Sequence, residues 1–124
     1  MVVGIGVDIV EVKRIERALT NGAAMIQRVF TEAEIDYCQQ RKNLYQHYAG
    51  RFAAKEAALK ALGTGWAQGI RWKDVEILSG LGGKPELTLY GKALEVFQKS
   101  GATRQLVSIT HADVYAVAMV VLDS

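Results

Sequence analysis

Two carboxylates and a lysine are the residues of this sequence best suited to catalysis. Asp8 lies near the end of an alternating apolar segment, and Glu56 and Lys60 stand four residues apart in a segment rich in alanine and leucine. Mg²⁺ prefers oxygen ligands, and two carboxylates would leave roughly four coordination positions for water and substrate phosphate oxygens. This set therefore suits phosphoryl transfer, in which catalysis consists chiefly of positioning the reactants and neutralising charge.

The segment from Gly50 to Gly65 is predicted to contain the helix that carries Glu56 and Lys60, and Gly63-Thr64-Gly65 is predicted to end it. Glu56 lies about 40° from Phe52 around the helix axis, so its carboxylate points toward the buried side. We expect Lys60, or a cation that the sequence does not contain, to neutralise this carboxylate. The alternative is a core helix with one structural Glu–Lys pair. Five alanines leave its other faces nearly bare, so a neighbouring element, a partner subunit or a ligand can approach closely.

The first strand has two unlike faces. Alternation places the larger apolar residues on one face and two glycines and a carboxylate on the other: Val3, Ile5, Val7 and Ile9 against Gly4, Gly6 and Asp8. We predict that the apolar face packs on the core and that the glycine face lets a chain or ligand lie close to the backbone. The alternative role for Asp8 is a helix cap at the end of the strand.

A basic helix is predicted from Glu11 to Thr20. Its cationic arc consists of Lys13, Arg14 and Arg17, which without other information is read as a solvated surface. The following helix, from Glu32 to about Gln40, begins with a capping box formed by Thr31 and Glu34.

The second half of the chain is richer in strands. We predict a hairpin over residues 75–78 and 86–89, a helix from Gly91 to about Ser100, and strands over 106–111 and 114–122. The glycine-rich hairpin loop resembles a phosphate cradle only superficially, because such loops usually precede a helix. His111 lies at a strand end, where it is either a site residue or a structural histidine. His47 is expected to be structural or exposed.

Composition bounds the class of protein. The 124 residues contain one proline, one cysteine and 50% hydrophobic residues, which predicts a single globular domain over 1–124 without a disulfide framework. The longest apolar run is too short to span a membrane, and the N-terminus lacks a secretory pattern, so we expect a cytoplasmic protein. A net charge of +2 is too small to indicate nucleic-acid binding.

Taken together, several short motifs resemble the holo-[acyl-carrier-protein] synthases, the short bacterial-type branch of the 4'-phosphopantetheinyl transferases. The resemblance covers essentially the whole chain. The matching residues are Gly4-Ile5-Gly6-Val7-Asp8, Arg14, Phe30-Thr31 with Glu34, Arg51-Phe52-Ala53-Ala54-Lys55-Glu56-Ala57 with Lys60, Gly63-Thr64-Gly65, and Ser108-Ile109-Thr110-His111.

The resemblance implies a reaction and a site. The fold would be α+β, with a mostly antiparallel sheet packed on a long central helix and shorter helices. The enzyme would move 4'-phosphopantetheine from coenzyme A to a serine of apo acyl carrier protein, releasing adenosine 3',5'-bisphosphate. Asp8 and Glu56 would hold Mg²⁺ against the coenzyme A diphosphate, and Lys60 would neutralise developing charge. Either Glu56 or a metal-bound hydroxide would take the serine proton.

The resemblance also implies contacts outside the metal site. Arg51, His111 and the backbone around Gly65 would border the adenylate end of coenzyme A. The segment from Cys38 to Tyr48 matches no family motif, so the resemblance does not assign Arg41, Lys42 or neither to the 3'-phosphate. Members of this branch form homotrimers with sites between subunits. The basic arc of the first helix would receive the acidic carrier protein.

Two other functions use the same residues. A small Mg²⁺-dependent nucleotide hydrolase would turn over without a protein acceptor. A non-catalytic module that binds carrier proteins or nucleotides would tolerate the loss of Asp8.

Overall fold

The computed structural model describes residues 1–124 as five α-helices and five strands. The helices are α1 (Val12–Asn21), α2 (Ala23–Val29), α3 (Glu32–Gln39), α4 (Leu44–Leu62) and α5 (Gly91–Lys99). The strands are β1 (Val2–Glu11), β2 (Val75–Ser79), β3 (Pro85–Leu89), β4 (Arg104–His111) and β5 (Tyr115–Asp123). Short 3-10 turns occur at Trp72–Asp74 and Leu81–Gly83.

The strands form two antiparallel sheets. One has the order β1-β5-β4, and the other is the β2-β3 hairpin. Helix α4 packs across the inner face of the larger sheet and contacts all three of its strands. This α+β arrangement around one long helix confirms the expected fold class. None of the helices combines the length and apolar character needed to cross a membrane.

The contact between β1 and α4 is a contact between backbones. A Cβ atom built on Gly4 would lie 2.2 Å from the carbonyl oxygen of Ala61, and one built on Gly6 would lie 1.9 Å from that of Ala57. Only glycine leaves room for this approach, because real Cβ atoms essentially never come within 3.0 Å of another heavy atom. The small residues of α4 and the glycines of β1 are therefore complementary, and the prediction that the glycine face admits a close neighbour is confirmed.

The prediction for the apolar face of β1 is wrong. Its four large residues are 40–62% exposed in the chain, namely Val3, Ile5, Val7 and Ile9. The core lies instead beneath the glycine face, where α4 packs, so the alternate residues are turned outward. The exposed apolar face continues across the sheet, because Val7 pairs with Met119 of β5, and Ile5 of β1 and Leu106 of β4 both pair with Val121.

The helices near the N-terminus follow the predicted spacing. Helix α1 buries Val12, Ile15 and Leu19, and α3 begins with the predicted capping box, in which the Thr31 N–H donates to Glu34 Oε1 at 2.8 Å. Helix α2 was not anticipated, because no helix was predicted between Thr20 and Glu32. The cap of α1 is Glu11 rather than Asp8, so the alternative role of Asp8 as a helix cap is wrong.

The backbone contact predicts a large effect of one methyl group. Replacing Gly6 by alanine places a Cβ against the Ala57 carbonyl, which no side-chain rotation can relieve, so the free energy of unfolding should fall by about 3 kcal/mol or more. The control is Gly22→Ala, because a Cβ at Gly22 meets nothing within 4 Å and its φ of −158° is extended. Urea unfolding of both variants measures the difference. Equal stability would contradict the close contact of β1 with α4.

Candidate functional site

Asp8 and Lys60 meet where β1 crosses α4. Lys60 Nζ donates to Asp8 Oδ1 at 3.0 Å and to the Val7 carbonyl oxygen at 3.0 Å. The Asp8 side chain is 17% exposed and that of Lys60 is 54% exposed. An ammonium group has three N–H donors, so one donor of Lys60 remains for a further acceptor.

The structure does not place Lys60 on Glu56, contrary to the expectation of an i,i+4 pair. Side chains on a helix lean toward its N-terminus, and here the lysine finds two oxygen acceptors on β1 in that direction. None of the ion pairs of the chain includes Glu56, which is half-buried. Glu56 is therefore a carboxylate without a cation of its own, one helical turn before Lys60 on α4.

The donor set at this position suits a hard divalent cation with few protein ligands. The chain has no cluster of three or more His, Cys, Asp and Glu side chains. A metal ion here would take at most the carboxylates of Asp8 and Glu56, with water and phosphate oxygens completing its coordination, which is the usual pattern for Mg²⁺.

A second feature is a cavity of about 120 Å³ beside the N-terminal half of α4, which we call the anion pocket. It is lined by Tyr37, His47, Gly50, Arg51, Ser79, Gly83, Pro85, Ile109 and His111. No carboxylate lines it, so its electrostatic character is set by cations and neutral dipoles. The structure thus brings Arg51 and His111 together from α4 and the end of β4.

Arg51 is the central cation of the anion pocket and is only 5% exposed. Its guanidinium lies 3.9 Å from the centre of the Tyr37 ring, and Nη2 donates to Ser79 Oγ at 3.4 Å. Its Nε atom is buried without a hydrogen-bond partner. A buried charge without an ion-pair partner is costly, so the pocket is suited to an anion that pairs with this guanidinium.

Arg41 and Lys42 lie in different places. The Arg41 guanidinium also stacks on Tyr37, at 4.1 Å from the ring centre, which ties it to the rim of the anion pocket. Lys42 lines a separate groove together with Lys13 and Glu16.

The two histidines were assessed differently from the sequence, yet the structure places both in the anion pocket. Their ring centres are 4.8 Å apart in an edge-to-face arrangement. Burial lowers the pKa of His47, and the neighbouring His111, Arg51 and Arg41 lower it further. His47 and Arg51 stand four residues apart on α4, a spacing that puts them on one helix face and could have indicated the shared pocket.

The glycine-rich hairpin loop also contributes to the pocket, through Ser79, Gly83 and Pro85. The Gly83 N–H donates to the Gly80 carbonyl oxygen at 3.1 Å, and Gly82 and Gly83 have φ of 71° and 79°. The interpretation that this loop resembles a phosphate cradle only superficially rested on its joining two strands. That connection is correct, but the hairpin folds back on α4 and β4.

The remaining residues singled out from the sequence lie outside both features. Gly65 is in the loop after α4, with φ of 57°, and does not line the anion pocket. Lys13, Arg14 and Arg17 are exposed on α1, and Arg17 Nη2 lies 3.6 Å from Glu11 Oε1. Cys38 is buried, and burial raises the pKa of its thiol to about 12, as suits a packing residue.

Lys55, which lies between Arg51 and Glu56 in the family motif, is fully buried. Its Nζ lies 2.9 Å from Glu34 Oε1 and donates to the carbonyl oxygens of Trp72 and Val75. Burial lowers the pKa of Lys55, and the Glu34 carboxylate opposes that shift. Because Glu34 Oε2 also accepts from the Ile77 N–H at 2.9 Å, this ion pair joins α3, α4 and β2 immediately beside Glu56.

Comparison with known proteins shows which family shares this sequence and architecture. A family model described as the 4'-phosphopantetheinyl transferase superfamily matches residues 4–120. A holo-[acyl-carrier-protein] synthase from Geobacter sp. (strain M21) is 52% identical over 124 residues, which cover 99% of each chain. The chain belongs to the holo-[acyl-carrier-protein] synthase family.

Solved structures of this family agree with that assignment. A holo-[acyl-carrier-protein] synthase from Neisseria meningitidis superposes with a TM-score of 0.88 at 36% identity, covering 100% of both chains. The enzyme from Bacillus anthracis, solved in complex with CoA (3',5'-ADP), has a TM-score of 0.83 at 38% identity and covers 100% of this chain and 98% of that one. The family resemblance that the sequence motifs carry is thereby confirmed.

Proposed function

We propose that this chain transfers 4'-phosphopantetheine from coenzyme A to a serine hydroxyl of apo acyl carrier protein and releases adenosine 3',5'-bisphosphate. The observation that carries the proposal is the pairing of Asp8 with Lys60 where β1 crosses α4, with Glu56 one helical turn before Lys60 and the anion pocket farther along the same helix. Membership of the holo-[acyl-carrier-protein] synthase family gives the substrate pair.

In the proposed reaction the serine oxygen forms a bond to the phosphorus that bears pantetheine. The bond from that phosphorus to the bridging oxygen breaks, and adenosine 3',5'-bisphosphate leaves with the electron pair. Lys60 uses its remaining donor on a phosphate oxygen, where it neutralises charge that develops on the leaving group. Glu56, which has no cation partner within the chain, is the acceptor that the chain itself offers for the serine proton.

We further propose that Asp8 and Glu56 hold Mg²⁺. The support is the chemistry of the two carboxylates and the fact that Asp8 already binds an ammonium group. When bound, the ion would bring the coenzyme A diphosphate to the site and neutralise part of its charge.

The anion pocket is proposed as the site for the adenylate end of coenzyme A, with Arg51 and His111 as binding residues. The unpaired charge of Arg51 and the absence of carboxylates in the pocket support this assignment. Arg41 is favoured over Lys42 as an additional contact, because only Arg41 shares Tyr37 with Arg51. The Gly65 backbone is proposed to border the same ligand from the loop after α4.

A homotrimer is proposed as the active form. Arg51 and Glu56 are five residues apart and therefore leave α4 in directions that differ by about 140°. Sites between subunits would let the anion pocket of one chain act with the carboxylates of a neighbour. The exposed apolar face of β1, β5 and β4 supports such an assembly, since large apolar surfaces usually mark interfaces.

The whole of residues 1–124 is proposed to act as one domain in the cytoplasm. A single hydrophobic core joins residues from β1 to β5, and the lone buried thiol of Cys38 suits a reducing compartment.

Intact-protein mass spectrometry of apo acyl carrier protein tests the transfer. Incubation with the enzyme, coenzyme A and Mg²⁺ should add one phosphopantetheine group to the carrier. Asp8→Ala and Glu56→Ala should slow the reaction by at least about a hundredfold, because each removes a group that acts on the reacting phosphate. The control is Glu95→Ala, since Glu95 is exposed on α5 and its one ion pair is with Lys92, at 3.8 Å.

Two results would contradict the proposed transfer. Absence of a mass gain across several carrier proteins is one, and it returns the function to a binding module. Cleavage of coenzyme A at the same rate without any carrier is the other, and it indicates a nucleotide hydrolase.

Helix α1 is proposed as the docking surface for the carrier, through Lys13, Arg14 and Arg17, which are exposed on it. Reversing the charge with Arg14→Glu should raise the KM for carrier protein about three- to tenfold at low salt, because charges at an interface rim mainly affect association. Steady-state kinetics should show an unchanged KM for coenzyme A. Lys99→Glu on α5 is the matched control, and equal carrier kinetics for both variants would remove α1 from the docking surface.

A further inference from the structure

Both histidines of the chain line the anion pocket, so no histidine serves another part of the structure. His111 comes from the end of β4 and His47 from α4, and their rings meet at 4.8 Å. The proposed transfer chemistry at Asp8 and Glu56 requires neither imidazole. Two titratable groups in contact with a buried arginine therefore need a separate explanation.

The protonation of His111 is constrained by its neighbours. Its Nδ1 atom lies 3.0 Å from Gln46 Oε1, which only accepts hydrogen bonds, so Nδ1 carries the proton. The orientation of the Gln46 amide follows from its Nε2 atom, which donates to Asp113 Oδ1 at 3.3 Å. The Nε2 atom of a neutral His111 is therefore an acceptor, and it can donate to an anion only after gaining a proton.

Without a bound anion, the groups around His47 disfavour the protonated form of its imidazole. Helix α3 contributes Tyr37, the segment after α3 contributes Arg41, α4 contributes Arg51, and β4 contributes His111. The nearest carboxylate in this network, Asp113, is reached only through Gln46. Burial and these cations favour the neutral form of His47.

A bound phosphomonoester dianion favours the protonated form of His47 instead, because it brings two negative charges to a pocket that has cations and no carboxylate. We propose that His47 is a second imidazole contact for a phosphomonoester in the anion pocket, and that the pocket takes up a proton when this anion binds. The inference rests on the proposed function, in which the phosphomonoester is the 3'-phosphate of coenzyme A.

Proton uptake is measured by isothermal titration calorimetry in two buffers with different protonation enthalpies. At pH 7.5 a phosphomonoester, whose second pKa is about 6, is already a dianion, so it contributes little to the proton balance. An imidazole whose pKa rises to near 7.5 on binding takes up about half a proton at that pH. The two probes are coenzyme A and 3'-dephospho-coenzyme A, which differ only in the phosphate of interest.

The inference predicts uptake of about half a proton or more per site with coenzyme A and almost none with the dephospho form. His47→Phe, which keeps an aromatic ring beside His111, should weaken coenzyme A binding about tenfold and reduce the uptake. Its affinity for 3'-dephospho-coenzyme A should stay within about twofold of the unmodified protein, because the lost contact is to the missing phosphate.

A measurement on the unmodified protein avoids any effect of the substitution on folding. The chain has two histidines, so its imidazole C2–H resonances report on this pocket alone. Coenzyme A should raise the pKa of the His47 imidazole, and 3'-dephospho-coenzyme A should leave it near its unliganded value.

The inference is overturned if coenzyme A binds with no net proton uptake at pH 7.5. It is equally overturned if the His47 resonance titrates identically with the two probes. Both results are separate from failure of the proposed function, because a mass gain on the carrier protein would be unaffected by either.

Discussion

The backbone contact between β1 and α4 is the constraint on which the rest of this structure depends. Gly4 and Gly6 let the helix lie directly on the strand, opposite Ala61 and Ala57. Any larger residue on either side would push the helix away and separate the groups that follow. At this distance Lys60 reaches both Asp8 and the Val7 carbonyl oxygen across the crossing. The candidate catalytic site is therefore a consequence of small residues that have no chemistry of their own.

The same contact explains why the apolar side of β1 is exposed. Residues on a strand alternate between faces, so covering the glycines with α4 turns the valines and isoleucines outward. The chain thus places a site on one face of its sheet and an apolar surface on the other. A trimer that buries this surface would couple assembly to the formation of sites between subunits, which is consistent with the proposed division of the coenzyme A site.

A second interaction fixes α4 on its opposite side. The buried Lys55 ammonium joins Glu34, Trp72 and Val75, and removing one partner of such a pair typically costs about 3–5 kcal/mol. Lys55 follows Arg51 by one helical turn and directly precedes Glu56. The ion pair consequently sets the rotation of the helix for both the anion pocket and the carboxylate site.

Local patterns predicted much of the fold. The capping box at Thr31, the apolar spacing of α1 and the glycine at the end of α4 each depend on neighbours in sequence, and each was found where expected. Alternation in β1 defined two faces but could not say which one α4 covers, since that choice depends on residues about fifty positions away. The pairing of glycines in β1 with alanines in α4 was the available signal.

The site was predictable to a similar extent. Asp8, Glu56 and Lys60 were selected from residue type and family motifs, and the structure brings Lys60 to Asp8. The assignment of Lys60 to Glu56 failed because helical spacing takes no account of acceptors on another strand. His47 and the hairpin loop were missed because their common pocket is formed only when β4, α4 and the hairpin meet.

The central proposal is that Asp8 of β1 and Glu56 of α4 together hold one divalent cation. Titration of Mn²⁺ in the presence of coenzyme A, followed by electron paramagnetic resonance, tests it directly. The account predicts one ion per chain and affinity at least about tenfold weaker for both Asp8→Asn and Glu56→Gln, since each removes a carboxylate ligand. Binding of the ion with unchanged affinity in both variants would contradict it.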